Sequence, residues 1–95
     1  MTHIASDLIP AEVEVLRALC QPGVRFVTTA DLAIEVDLSY SAVSSALVTL
    51  RRRELATDRS GPGAVRWSAT ELGAHAWSQL EGDARRLGAG RGARR

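Results

Sequence analysis

The chain has 95 residues, 45% of them hydrophobic, and no apolar run of 18. That suffices for one packed domain and excludes both a disordered chain and a membrane-spanning one. The net charge of +1 hides an asymmetry: residues 1–50 hold two arginines against six acids (−4), residues 51–95 ten arginines against five acids (+5), and there is no lysine.

No signal-peptide pattern opens the chain, so the expectation is a soluble, cytoplasmic protein without a membrane role. Cys20 is alone, so no disulfide or metal framework can form, and a small core residue is its expected role. His3 and His75 lack both a paired nucleophile and a second ligand at metal spacing, and no Gly-rich phosphate loop precedes a helix. The reading is therefore of a non-enzyme with no cofactor and no metal.

In chain order, residues 1–9 read as a lead-in whose Leu8 and Ile9 pack on the core. Pro10 suits the first turn of a helix, with Glu12 and Glu14 near its positive end. Ile9, Val13, Leu16 and Cys20 are spaced to face inward, and Gln21-Pro22-Gly23 stops the helix. Residues 24–27 form a brief extended piece or edge strand. Thr28 can cap the next helix, with Asp31 at capping-box spacing, and Leu32, Ala33 and Val36 share one face.

Asp37-Leu38-Ser39 interrupts the pattern; Leu38 turns inward and Ser39 is a good cap for a second helix. There Val43, Leu47 and Leu50 recur at i, i+4 and i+7 with Ala46 beside them. The opposite face carries Tyr40, Ser41, Ser44, Ser45, Val48, Arg51 and Arg52. Two short helices joined by a tight turn, the second offering a small, polar and finally basic face, follow helix-turn-helix logic. Small hydroxyl residues allow close approach to DNA and can bond phosphate or base edges.

After Leu55 the period changes to two. Residues 55–59 and 64–69 read as strands, with Ser60-Gly61-Pro62-Gly63 as the tip. Val65 and Trp67 form an apolar face, Arg66 and Ser68 a polar one, and Arg59 and Arg66 flank the tip. Trp67 is the natural anchor onto the helices; the hairpin can serve as a DNA-contacting wing or as a structural flap. Thr70 caps a last helix in which Gly73, Trp77, Leu80, Ala84 and Leu87 follow 4-3-4-3 spacing. That seam can join two copies as a homodimer or cover the domain's own first helix, while Leu72 and Ala76 widen it toward the core. Residues 88–95 read as a flexible Arg/Gly tail, touching phosphate or simply solvated.

The order of elements resembles a winged helix-turn-helix domain similar to the MarR and PadR families of bacterial regulators. The matching stretches are DLAIEVDLSYSAVSSALVTLRRREL and WSATELG, and the resemblance covers residues 10–87. It implies a mainly α fold with a small β-hairpin, a recognition helix over 39–54 and a wing over 55–69. It further implies DNA contacts from Thr29, Ser39, Tyr40, Ser41, Ser44, Ser45, Val48, Arg51, Arg52, Arg59 and Arg66. Asp37 and Glu54 stand where such families often carry glycine, and there is no room for the long dimer helices and inducer pocket of larger relatives. The expected function is a sequence-specific double-stranded DNA-binding regulator, with no small-molecule effector evident. The alternative is a winged-helix adaptor for another protein, which would show an apolar patch on the same face.

Overall fold

The computed structural model describes residues 8–23 and 26–92, with the side chains of the last helix described through Gly82. Pro10 opens α1 (Pro10–Leu19), where its missing N–H is no loss. The Ile9 N–H donates to Glu12 Oε1 at 3.2 Å, closing the first turn. Ile9 itself is extended rather than helical and 56% exposed. It therefore lies off the helix face on which its spacing would have buried it. The buried stripe is Val15, Leu16, Ala18 and Leu19, with Leu8 and Cys20 packed against the core.

A two-residue strand β1 (Val27–Thr28) leads into α2 (Thr29–Val36), and the Thr28 hydroxyl accepts the Asp31 N–H at 3.1 Å. Asp37 ends α2 in the left-handed conformation (φ 58°, ψ 47°), a conformation that Asp tolerates better than most residues. Leu38 N–H then returns to the Ala33 carbonyl, and Ser39 caps α3 (Tyr40–Arg52) by accepting the Ala42 N–H at 3.1 Å. The break between α2 and α3 is 111°, within the helix-turn-helix range. The recognition helix expected over 39–54 is thus shorter: Ser39 is its cap, and Arg53 and Glu54 turn the chain out of it.

Strands β2 (Ala56–Gly61) and β3 (Ala64–Ala69) form the hairpin, and β1 adds to β3 to give an antiparallel sheet in the order β1-β3-β2. Gly61 pairs with Ala64, so the tip is only Pro62-Gly63, with Gly63 at φ 89°. Proline followed by a positive-φ glycine is the chemistry of a type II turn, and it lets pairing run two residues farther than the expected four-residue tip. Trp67 is 7% exposed and joins a core made by Leu16, Leu19, Leu32, Val43, Leu47, Leu50 and Leu55. Val65, on the same face nearer the tip, is 41% exposed because the hairpin has run past the helices.

The last helix, α4 (Glu71–Gly92), is fixed at its start by a dense junction. Glu54 takes φ 64°, turning the chain from α3 into β2. The Thr70 hydroxyl donates to the Glu54 carbonyl at 2.6 Å and accepts the Gly73 N–H at 2.9 Å, while Thr70 N–H donates to the Leu55 carbonyl at 3.1 Å. A Cβ on Gly73 would overlap that same Leu55 carbonyl. Gly73, expected at the start of a dimer seam, is therefore explained by a close approach inside the domain. Ala76 is fully buried and Trp77 and Leu80 lean on the core, whereas Leu72 points outward. The tail expected from residue 88 is helical backbone through Gly92; once a helix is nucleated each added residue gains a hydrogen bond, which offsets the glycine cost. Residues 93–95 lie outside the described residues, as do the Ala84 and Leu87 side chains.

Two glycines of α4 make opposite predictions. Gly73→Ala should destabilise by about 1–3 kcal/mol through overpacking against backbone that cannot move aside. Gly82 has nothing within 4 Å of a built Cβ, so Gly82→Ala should stabilise by roughly 0.5–1 kcal/mol. Thermal melts of the two variants, shifted in opposite directions, check both.

Candidate nucleic-acid interface

The inward stripe of α3 is Val43, Ala46, Leu47 and Leu50, all buried. Helical geometry then places Ser41, Ser45, Val48 and Arg52 along the opposite ridge, at i, i+4, i+7 and i+11. Ser41, Ser45 and Arg52 are exposed there, and Val48 is half-buried. Tyr40, Ser44 and Arg51 fall on the flank between this ridge and the core, and Arg51 identifies that flank as the wing side. Its Nη1 lies 3.0 Å from Asp58 Oδ2 on β2, and its guanidinium stands 5.6 Å from the Trp67 ring centre. Tyr40 is 62% exposed at the start of the helix. Tyr40 borders an open groove of about 370 Å³ shared with Thr28, Thr29, Ala30 and Val65. Thr29 and Ser39 thus bracket the entries to α2 and α3, Thr29 half-buried and Ser39 exposed.

The wing's arginines follow from its register. Asp58 pairs with Trp67 and Val27 with Trp67, which sets these three on the helix-facing side. Arg59 pairs with Arg66, and Arg66 with Thr28, so both arginines project from the opposite side of the sheet. Two like charges directly opposite one another oppose pairing. The Arg59 guanidinium is 4.4 Å from the centre of the Phe26 ring, which lies on the same side of the sheet, and gains a cation–π contact there. Arg52 and Arg66 have no hydrogen-bond or ion-pair partner among the described residues.

The four arginines anticipated as DNA contacts therefore separate into three kinds. Arg51 is neutralised by Asp58 and ties α3 to the wing; Arg59 is stacked but still charged; Arg52 and Arg66 are free among the described residues. Sequence reasoning passed over Asp58 and Phe26. The signal for Asp58 was its period-two position beside Trp67, and for Phe26 its place one residue before the strand that pairs with β3.

Cys20 lies away from this surface, at the end of α1, with its thiol 4.0 Å from the Gly73 carbonyl. Burial, reinforced by the negative charge of Glu81, pushes the thiol from 9.0 up to about 11. Among the described residues no group of three or more His, Cys, Asp or Glu could hold a metal ion, and no single helix is long and apolar enough to cross a membrane.

No protein-family model matches the sequence, and no curated protein matches it. Solved structures do. MepR, a transcription regulator of the multidrug efflux pump MepA in Staphylococcus aureus, superposes with a TM-score of 0.85 at 16% identity, over 94% of this chain and 67% of that one. ZitR of Lactococcus lactis gives 0.76 at 22% identity over 90% and 60%. A candidate DNA-binding protein from Ralstonia eutropha JMP134 gives 0.67 at 28% identity, over 77% of this chain and 96% of that one. The fold is the winged helix-turn-helix of MarR-type regulators. The chain spans about 60–67% of the length of the ZitR chains it resembles.

The Cys20 environment carries its own prediction. With the thiol raised to about 11, the folded protein holds roughly 100-fold less thiolate at pH 8 than a thiol at 9.0 would. Iodoacetamide should modify the native chain slowly at pH 8, accelerate tenfold per pH unit toward 11, and react at an ordinary thiol rate once the chain is denatured.

Proposed function

We propose that the chain is a sequence-reading, double-stranded DNA-binding transcription regulator that lays α3 in the major groove and sets its wing against flanking phosphates. The observation that carries this reading is the outward ridge of α3: small hydroxyl groups at Ser41 and Ser45, with the unpaired Arg52 at its end. Such a ridge allows the helix to approach base edges closely, and its basic end meets phosphate. An adaptor surface would need a large apolar patch on this ridge, and its one apolar side chain, Val48, is half-buried.

The wing supports the same reading. Opposed Arg59 and Arg66 disfavour their own hairpin, and a phosphate group near them would relieve the repulsion. Asp58 has the complementary duty of holding Arg51, and through it the wing, against α3. Thr29, Ser39, Tyr40 and Ser44 stand beside the ridge and wing as further contacts. The chain would act as a homodimer on a two-fold site, with half-sites near one DNA turn apart. The joining surface would be the α4 seam of Gly73, Trp77, Leu80, Ala84 and Leu87, in which the half-buried Trp77 and Leu80 also lean on the chain's own core.

Two further experiments test the interface. Binding to duplex DNA should weaken steeply with salt, and Arg52→Gln should reduce the slope of log K against log salt by about 1 per protomer. Ser45→Glu, at an exposed position where stability changes by under about 0.5 kcal/mol, should abolish specific binding. A Ser45→Glu variant that still binds its selected duplex would remove α3 as the reading element.

The wing arginines give a prediction in which stability and function move oppositely. Arg66→Thr removes a like-charge pair and should stabilise the fold by roughly 0.2–1 kcal/mol while weakening DNA binding. Denaturant unfolding and a gel-shift titration on the same variant read the two signs.

A further inference from the structure

A second surface lies on the acidic half of the chain. The end of α1, β1 and one side of α2 enclose an open groove of about 350 Å³ lined by Ala18, Gln21, Val27, Asp31, Leu32 and Glu35. Its floor is apolar, and its two carboxylates stand one helical turn apart on α2. Neither Asp31 nor Glu35 has a side-chain hydrogen bond or ion pair among the described residues. An apolar floor beneath paired carboxylates is matched by one side chain above others. Arginine lays its three-methylene stem on apolar surface and directs a forked guanidinium at carboxylate oxygens.

We propose that this groove is an arginine-binding site occupied by the basic end of a second copy of the chain, the segment 91–95 that carries Arg91, Arg94 and Arg95. Charge complementarity selects this occupant: the groove sits in the half of net charge −4, and residues 91–95 contain three arginines and no acid. Geometry makes the contact intermolecular. The 22-residue α4 packs on α1 and β3 at its start and carries its far end about 33 Å away. The proposal rests on neither DNA reading nor the α4 seam. Phosphate would repel Asp31 and Glu35, so this side of α2 is suited to a cation rather than to DNA.

The test is a charge exchange in the full chain. Variant one carries Asp31→Arg and Glu35→Arg; variant two carries Arg91→Glu, Arg94→Glu and Arg95→Glu. Sedimentation equilibrium at low salt compares the parent, each variant and their equimolar mixture, with circular dichroism confirming the fold. Each variant alone should associate about tenfold more weakly than the parent, since both its groove and its basic end then carry the same sign. The mixture should recover the parent's association, because each copy's groove again meets a segment of opposite charge. If Asp31→Arg with Glu35→Arg does not fold, Asp31→Asn with Glu35→Gln takes its place. The weakening of that variant is then the readout, and its mixture with variant two should recover the one contact in which an acidic groove meets a basic segment. Association equal to the parent's in either variant, or a mixture no tighter than its components, overturns the proposal. Variant one leaves α4 unaltered, so association through the α4 seam would be unchanged in it and cannot imitate its expected weakening.

Discussion

The architecture hangs on the junction between Glu54, Leu55, Thr70 and Gly73. Three elements meet there: α3 ends, the hairpin begins and ends, and α4 starts. Thr70 closes the junction with its side chain facing two ways, donating to the Glu54 carbonyl and accepting from Gly73. The Leu55 carbonyl is then enclosed by the Thr70 N–H on one side and the bare Cα of Gly73 on the other. Because both strands leave this point, the angle between wing and α3 is fixed at its base by backbone contacts. Trp67 and the Arg51–Asp58 pair fix it again farther out.

That second attachment explains how a basic surface divides its work. An arginine held by a carboxylate gives orientation; a free one gives affinity. Arg51 and Arg52 are sequence neighbours, yet the turn of the helix sends one toward the wing and leaves the other in solvent. Phe26 performs a related service for Arg59, holding the guanidinium over a ring without cancelling its charge. Some members of this polar surface are thus committed to positioning, and others have no partner among the described residues, the division that the proposed docking on DNA calls for.

Much of this was legible in the sequence because local chemistry and global fold agree. Thr28, Ser39 and Thr70 each announce a helix start by side chain alone, and each does cap one. The buried face of α3 follows from a 3.6 period with no ambiguity. What was not legible depended on pairing partners distant in sequence. That Gly73 serves Leu55 requires knowing that the hairpin returns to its own root. That Arg51 is neutralised requires the register that brings Asp58 to the helix side. Ile9 was misplaced for a local reason: its spacing suited the helix face, but it stands one residue before the helix begins. The length of α4 was underestimated because its glycines read as punctuation, whereas a helix already anchored can run through them.

The two-residue tip has a consequence for how such a wing can change. Cross-strand pairs alternate between hydrogen-bonded and non-hydrogen-bonded along an antiparallel ladder, so one extra residue on each strand at the tip would set the two-residue turn across a pair of the other kind. Two extra residues on each strand preserve every assignment, moving Pro62-Gly63 outward by about 6.7 Å and leaving Trp67, Asp58 and the opposed arginines where they are. The reach of the hairpin is in this sense quantised. Insertions that survive selection should come in matched pairs, and the wing can be lengthened in steps without disturbing its root.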